Sequence, residues 1–567
     1  MFVSKLDPVS ALAEPLAAAI APHLKPANPA LARALAQAEV TRREAGFLRE
    51  EYRAALLAAF ADAESPQAAL DAACAALDAA GFTPLADALR DHVAEHTGLR
   101  AFAASIVAHV STAVFDLKHA GLFLATGAPD HEGHYADGTW RSWTGEYTVS
   151  PATFLTPKSE AEVSAILAGT APGTRVRAVG AGHCFNEGPL CVDTMISLNG
   201  MHAVLGLDRA SKTVRVAAGI RLRDLNRALW DLGLGLPVLG STDAQSVAGL
   251  IATDVHGTGR DHGFLSERLV SLRVLDAAGQ ARTVRPGDPL FHAVVGGAGT
   301  CGIVTEVEVQ AVDRFHLEKR VAMVDRAYAE AEIDTLLREN DHLSFYYVGG
   351  AADDRSVRMH TWNRTEAPLS PNWHARKVRA ELSDLAIAAW APGVAEILAD
   401  VDADSPISNV LSPDLALVMP GSVGFGRKLF YRHDELEYGV PYAGWREAVA
   451  EIMALLRDRD AFSIVEVRFT PDMSQALLGP GVGRRTAYIE LATPLSTRDA
   501  DVNAAAERIL LRHGGQPHLG KKTSLCAPDL QAIFGDRYLK FQAVRRMQDP
   551  HGKFLNPFTD RLFGEPV

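Results

Sequence analysis

The sequence predicts an α+β protein preceded by an α-helical extension, and three observations carry that reading. Residues 1–130 are rich in alanine, with apolar residues at helical spacing. Residues 147–312 alternate short β-branched runs with short helical ones, and residues 313–500 carry longer strand-like runs.

Within the first stretch, residues 31–60 place Arg and Glu between regularly spaced apolar side chains. Gly81 and Pro84 punctuate a pair of helices expected at residues 66–80 and 85–96. His92, His96 and His109 are sparse and read as packed or solvated helix histidines. Residues 127–145 are loop-like. Ser159 then stands as an N-cap, with Glu162 at the capping-box position. Strands are expected at residues 174–179, 214–219 and 269–275, and a helix at 223–232 is ended by Gly233. Further on, residues 343–348 and 464–469 read as strands, and 446–456 and 499–512 as amphipathic helices. Residues 361–420, with several prolines, read as irregular.

Composition narrows the class. The chain has 567 residues, enough for two or three domains, with 48% hydrophobic and 22% charged residues, as in soluble globular proteins. A formal net charge of −13 argues against a nucleic-acid partner or an anionic membrane surface. No apolar run is long enough to insert in a bilayer, and the N-terminus lacks the pattern of a secretory signal. Cys74, Cys184, Cys191, Cys301 and Cys526 are odd in number and dispersed, which suggests neither a disulfide framework nor a metal site. A cytoplasmic setting is expected.

Two familiar patterns fail on context. Gly297-Ala298-Gly299-Thr300-Cys301-Gly302 fits G-x-G-x-x-G, but an alternating strand-like run follows it where a dinucleotide loop needs a helix. The run from Gly515 to Lys522 nearly fits a P-loop, but Lys522 replaces the hydroxyl residue and a helical pattern precedes it.

The informative stretch is Ala178-Val179-Gly180-Ala181-Gly182-His183-Cys184. So little side-chain bulk lets backbone N–H groups approach an anion closely, beside one imidazole. A second stretch, residues 240–259, is dense in small and hydroxyl residues that suit a diphosphate at close range. Glu466 and Arg468 are two apart on a strand and so share a face.

Taken in order, five segments resemble the FAD-linked oxidases of the vanillyl-alcohol oxidase/PCMH superfamily, and within it the aldonolactone and alditol oxidases. They are Gly180–Phe185, the pair Ser246–Gly249 and Val255–Gly259, Gly299–Thr305, Glu466-Val467-Arg468, and Gln516–Lys521 followed by Asp549–Asn556. The likeness runs from Trp140 to Phe563. It implies a PCMH-type FAD-binding domain at 136–312 and a substrate (cap) domain at 313–510 with a mainly antiparallel sheet and flanking helices. A segment at 511–567 returns to the FAD site, and residues 1–135 form the helical extension.

The resemblance further implies that Ala178 to Cys184 wrap the pyrophosphate of FAD and that His183 bonds the flavin covalently. Ser241, Ser246, Gly249, Thr253, Asp254, Val255 and His256 would line the cofactor, and Ile303 and Val304 would hold its adenine end. Glu466, Arg468 and Lys521 become the catalytic group, and Glu490 a substrate-binding residue. Leu519 and Val255 stand where the family has Trp and Thr. The implied activity is oxidation of a sugar lactone, an alditol or a related hydroxyl compound, with O₂ reduced to H₂O₂ and Gly240 leaving room for O₂. An apolar alcohol, as in sterol-type oxidases, a dehydrogenase lacking the oxygen reaction, and a flavin-binding scaffold are the other readings. A monomer or homodimer is expected.

Overall fold

The computed structural model describes residues 138–349, 355–371, 415–426, 433–461, 463–494 and 500–564, with single residues beside them. The expected extension over 1–135 lies outside the described residues apart from Ala75, as does most of 372–414.

Three larger sheets and two short two-stranded pairs, Trp140–Arg141 with Thr148–Val149 and Leu234–Gly235 with Val312–Asp313, build the described residues. The first is parallel, with β1 (Thr153–Leu155), β2 (Val176–Val179) and β3 (Thr194–Ser197) in the order β1-β3-β2. Parallel neighbours need a crossover, and α1 (Glu160–Gly169) lies in the connection from β1 to β2. Ser159 caps α1 as the sequence predicts: its Oγ accepts from Glu162 N at 3.3 Å. Arg177, buried on β2, donates to the carbonyls of Gly188 (2.9 Å), Ala298 (2.7 Å) and Phe554 (2.6 Å). One guanidinium thereby ties three distant segments together.

The second sheet is antiparallel. Its strands β4 (Val204–Asp208), β5 (Thr213–Ala217), β6 (Leu269–Leu275), β7 (Ala281–Val284) and β8 (Ile303–Gln310) run in the order β7-β6-β8-β5-β4. α2 (Leu222–Asp231) buries Leu222, Leu225 and Leu229, the spacing expected of a half-buried helix, and the short α3 (Val247–Ala252) buries Val247, Leu250 and Ile251. That β8 is a strand explains why the glycine pattern before it opens no helix.

The third sheet has eight antiparallel strands. In chain order they are β9 (His316–Asp325), β10 (His342–Gly349), β11 (Ser356–Thr365), β12 (Leu415–Pro420), β13 (His433–Pro441), β14 (Ser463–Thr470), β15 (Thr486–Pro494) and β16 (Gln516–Pro517). Across the sheet they run β12-β9-β11-β10-β14-β15-β13-β16. The expectation of irregular chain over 361–420 is corrected at both ends. Residues 361–365 continue β11 and residues 415–420 form β12, each held by pairing to β9, which outweighs the local proline signal.

Side-chain alternation gives this sheet two different faces. One face presents Phe345, Val467, Phe469, Ile489 and Tyr438 to α4 (Trp445–Asp458) and α5 (Ala500–Arg512). α4 buries Trp445, Val449, Ile452 and Leu456 on one stripe, and the Trp445 ring meets Phe469 at 5.2 Å between centroids. The other face is buried too, yet it is polar and charged. Thr258, from the connection between β5 and β6, docks against it: its Oγ receives Phe469 N at 3.1 Å, and it donates to the carbonyl of Leu343.

Candidate active site

The loop after β2 is where the chain first becomes unusual. Gly182 has φ of +66°, and a Cβ on Gly180 would lie 2.1 Å from Ser246 Oγ. Only glycine permits both the turn and the close approach. Trp143 N donates to Gly182 O (3.1 Å), and the Trp143 ring stacks on His183 with centroids 5.2 Å apart and planes 11° apart. Phe185 N donates to Gly520 O (2.9 Å), and Asn186 Nδ2 donates to the carbonyls of Leu519 and Lys521 (2.9 Å each). The His183 loop is therefore pinned to the segment that carries Lys521. Burial pushes the Cys184 thiol up to about 11, and its Sγ turns to Asn186 O, so it is neither a thiolate nor a rival to His183.

Facing the loop are Ser241, Ser246, Gly249, Thr253, Val255 and His256, which line the same cavity as residues 178–186. Ser246 also caps the helix Val247–Ala252, accepting from Gly249 N at 3.2 Å. The cavity thus has glycine, alanine and hydroxyl walls and a helix N-terminal turn, a cradle that fits a bulky phosphate-bearing group.

Three residues expected to hold the cofactor do not line this cavity. Asp254 has φ of +49° and turns its carboxylate away, accepting from Ser266 Oγ and Ser474 Oγ at 2.6 Å each. Ile303 and Val304 belong to the hydrophobic core, because β8 is an inner strand that pairs them with Leu275 and Val274.

The third wall is the polar face of the eight-stranded sheet. Register sets Arg358, Tyr346, Glu466, Glu490 and Glu437 in one row over five consecutive strands. The next row holds His360, Ser344, Arg468 and Tyr488. Arg468 Nη2 bonds Glu437 Oε1 (2.6 Å) and Glu490 Oε2 (2.7 Å), and its Nε lies 3.6 Å from Glu466 Oε1. Lys521 joins from the C-terminal segment, where Lys522 N donates to Glu435 O (2.9 Å) beside β13. Its Nζ meets Glu490 Oε2 at 3.1 Å and pairs with Glu435 Oε2.

Burial opposes ionisation in this cluster; pairing overrides it at Glu437 and Arg468 and fails to at His256 and His518. Desolvation would raise Glu437, but Arg468 and then His256 hold it well below the usual carboxylate range. Desolvation would likewise lower Arg468, yet Glu437, Glu466 and Glu490 keep it firmly charged. His518 falls to about 4 through burial, and His256 is also lowered by burial against the pull of Glu437. His256 Nε2 lies 3.0 Å from Glu437 Oε1, and its ring stacks on Tyr488 at 3.6 Å. His256, Glu437 and His518 bring ligand-type atoms within 4.8 Å of one another. Arg468 takes the same Glu437 oxygen that His256 faces, which makes the trio part of a hydrogen-bonded charge network.

Arg468 lines two cavities: the one containing His183 and Lys521, and a second that Glu466 also faces. Glu490 lines neither and stands behind Arg468 and Lys521, holding both. Glu435, Glu437, Trp143 and His433, whose ring meets that of Trp143 at 5.3 Å and whose Nε2 lies 2.7 Å from Glu435 Oε1, went unselected in the sequence. The alternation Glu435-Leu436-Glu437-Tyr438 was a usable signal for the first two. Nothing local marks Trp143, which reaches His183 through tertiary packing alone.

Fold and site together define an FAD-binding oxidoreductase with a PCMH-type domain. A cholesterol oxidase structure from Brevibacterium sterolicum shares the fold with a TM-score of 0.60 at 13% identity, over 75% of this chain and 96% of that one. The FAD binding domain profile matches residues 151–285, and the D-arabinono-1,4-lactone oxidase profile matches residues 307–562. An L-gulono-1,4-lactone dehydrogenase of Mycobacterium tuberculosis is 32% identical over 75% of this chain and 99% of its own length. The L-gulonolactone oxidase of Mus musculus is 26% identical over 76% and 99%. The chain belongs to this family of FAD-dependent oxidoreductases acting on CH–OH groups.

Proposed function

We propose that the protein oxidises a hydroxyl-bearing carbon of a sugar lactone, an alditol or a related polyol, with O₂ as electron acceptor and H₂O₂ as product, and that His183 tethers the FAD covalently. The observation that carries this reading is Arg468, which borders both the His183 cavity and the cavity faced by Glu466. A buried, charged sheet face favours a hydroxylated substrate over an apolar alcohol.

Bound FAD supplies the hydride acceptor. The chain's own groups do the rest. Arg468 and Lys521 stabilise negative charge developing on the substrate oxygen as its proton leaves. Glu466 accepts that proton or orients Arg468. Glu490 and Glu437 hold the guanidinium in place. Ala178 to Cys184, Ser241, Ser246, Gly249, Thr253, Val255 and His256 are the cofactor wall.

The oxidase reading rests on Gly240, which borders the cavity without a side chain. A Cβ there would lie 2.8 Å from Val255 Cγ1, so any substitution also moves the wall. Cys184, Cys191, Cys301 and Cys526 are free thiols, which suits a reducing, cytoplasmic setting; a monomer or homodimer remains the expected assembly. Among the described residues, no helix is long and apolar enough to cross a membrane.

The test is direct. Acid-precipitated protein should stay yellow, and His183→Ala should release the colour. Alditols or aldonolactones should bleach the flavin anaerobically, and air should restore the colour with stoichiometric peroxide. Bleaching without recolouring would leave a dehydrogenase.

A further inference from the structure

Beyond Glu466 and Arg468, the polar sheet face continues into the second cavity. Tyr346, His360, Trp362, Lys319 and Phe425 line it, and Ser241 and Arg468 border it and the His183 cavity alike. No residue of the His183 loop reaches it. His360, Trp362 and Lys319 are buried, which is unusual company for a lysine and a histidine on an inner face. The Tyr346 and His360 rings lie 4.4 Å apart, the His360 and Trp362 rings 5.7 Å apart, and Lys319 Nζ is 5.4 Å from the Trp362 ring centre. Tyr346 donates to Glu466 Oε1 at 2.7 Å, so this wall is joined to the reacting group.

We propose that this second cavity is the subsite for the hydroxylated end of the substrate remote from the carbon being oxidised, and that His360 and Trp362 set the preferred chain length. The inference rests on the function proposed above. Ser241 and Arg468 are common to the walls of both cavities, so a polyhydroxylated chain with one carbon held at Arg468 would place its remainder on the side away from the His183 loop. Ring faces at Trp362 and Tyr346 suit its C–H edges, and Lys319, His360 and the Tyr346 hydroxyl suit its oxygens. Buried polar groups built to meet hydroxyls discriminate strongly against a substrate that leaves them unmatched.

The experiment uses the flavin-loaded full chain with two probe series: alditols of three to six carbons, and 1,4-lactones of four, five and six carbons. Wild-type kcat/KM should rise with chain length in whichever series reduces the flavin. His360→Ala and Trp362→Ala should lower kcat/KM for the six-carbon member about tenfold more than for the shortest member, through KM, with the flavin spectrum unchanged. His360→Asn should keep part of the preference. An equal loss across the series, or no loss, overturns the subsite while leaving the activity standing. If no member of either series reduces the wild-type flavin, the proposed function falls and the subsite with it.

Discussion

Glu466 and Glu490 stand directly opposite each other on β14 and β15, and Glu490 in turn faces Glu437 on β13. Like charges at such positions repel, and here all three are buried. The arrangement survives because Arg468, one row over, bonds Glu437 and Glu490 while lying beside Glu466. One guanidinium is therefore the keystone of three carboxylates.

Arg468→Met should strand those carboxylates. The expected cost is about 3–5 kcal/mol of stability, as for breaking a buried pair from one side. Activity should fall by a factor of about 10² or more. Arg468→Lys should recover part of the stability and little of the rate. Thermal unfolding and steady-state kinetics of the two variants check both statements; a Met variant as stable as wild type would contradict the keystone role.

Gly180→Ala should drive a methyl into Ser246 Oγ and so disturb the cofactor cradle. Flavin content per polypeptide should drop sharply. Adding Ser246→Gly removes the colliding atoms and should restore flavin loading in part, at a cost of a few tenths of a kcal/mol for the exchanged helix cap. Absorbance ratios of the purified single and double variants decide the matter.

Asp254 gives a pH-dependent expectation. Burial raises its carboxyl to about 6, against the bonds from Ser266 and Ser474. A raised folded value means the protonated form is favoured by folding. Its contribution is complete below the unfolded value near 3.8 and is lost as pH rises through about 6. Asp254→Asn should therefore gain stability relative to wild type between pH 4 and pH 7, by up to about 3 kcal/mol. Denaturant midpoints across that range test it, and a difference that does not change with pH would refute it.

Arg177→Lys should loosen the contacts among the first sheet, the 298–299 turn and the C-terminal segment. Four carbonyls, those of Gly188, Ala298, Gly299 and Phe554, lose a donor that a single ammonium cannot replace in that geometry. A loss of about 2–4 kcal/mol is expected. Limited proteolysis should then open the chain near residues 549–556 before any other described segment.

Most of the fold's local signals were readable from the chain. β6 falls at the predicted residues, and the predicted helices over 446–456 and 499–512 match α4 and α5 closely, because each carries a strong period or a cap. β9, β11, β12 and β13 were less visible. Both faces of β13 are buried and one of them is charged, which inverts the usual contrast between apolar and polar positions, while β9 buries Lys319 and exposes Met323. In the site, small residues announced the cradle and the Glu466/Arg468 spacing announced a shared face. Trp143 entered only through packing, whereas Glu435 and Glu437 carried an alternating signal whose meaning depends on the register of β13 with β15. Asp254 shows the converse: its hydroxyl-rich neighbourhood suggested the cofactor, while a left-handed backbone turned it toward Ser474.

The two-faced sheet also constrains how such a site can diversify. Along β14, Val465, Val467 and Phe469 serve the core, while Glu466 and Arg468 face the site cavities. Gaining or losing a single codon inside the strand would exchange the two sets, placing carboxylates among the packed helices and valines beside the cofactor. New substrate preferences on this scaffold must therefore arise by replacing residues in place, or in the connections outside the strands, with the length of each strand inherited unchanged.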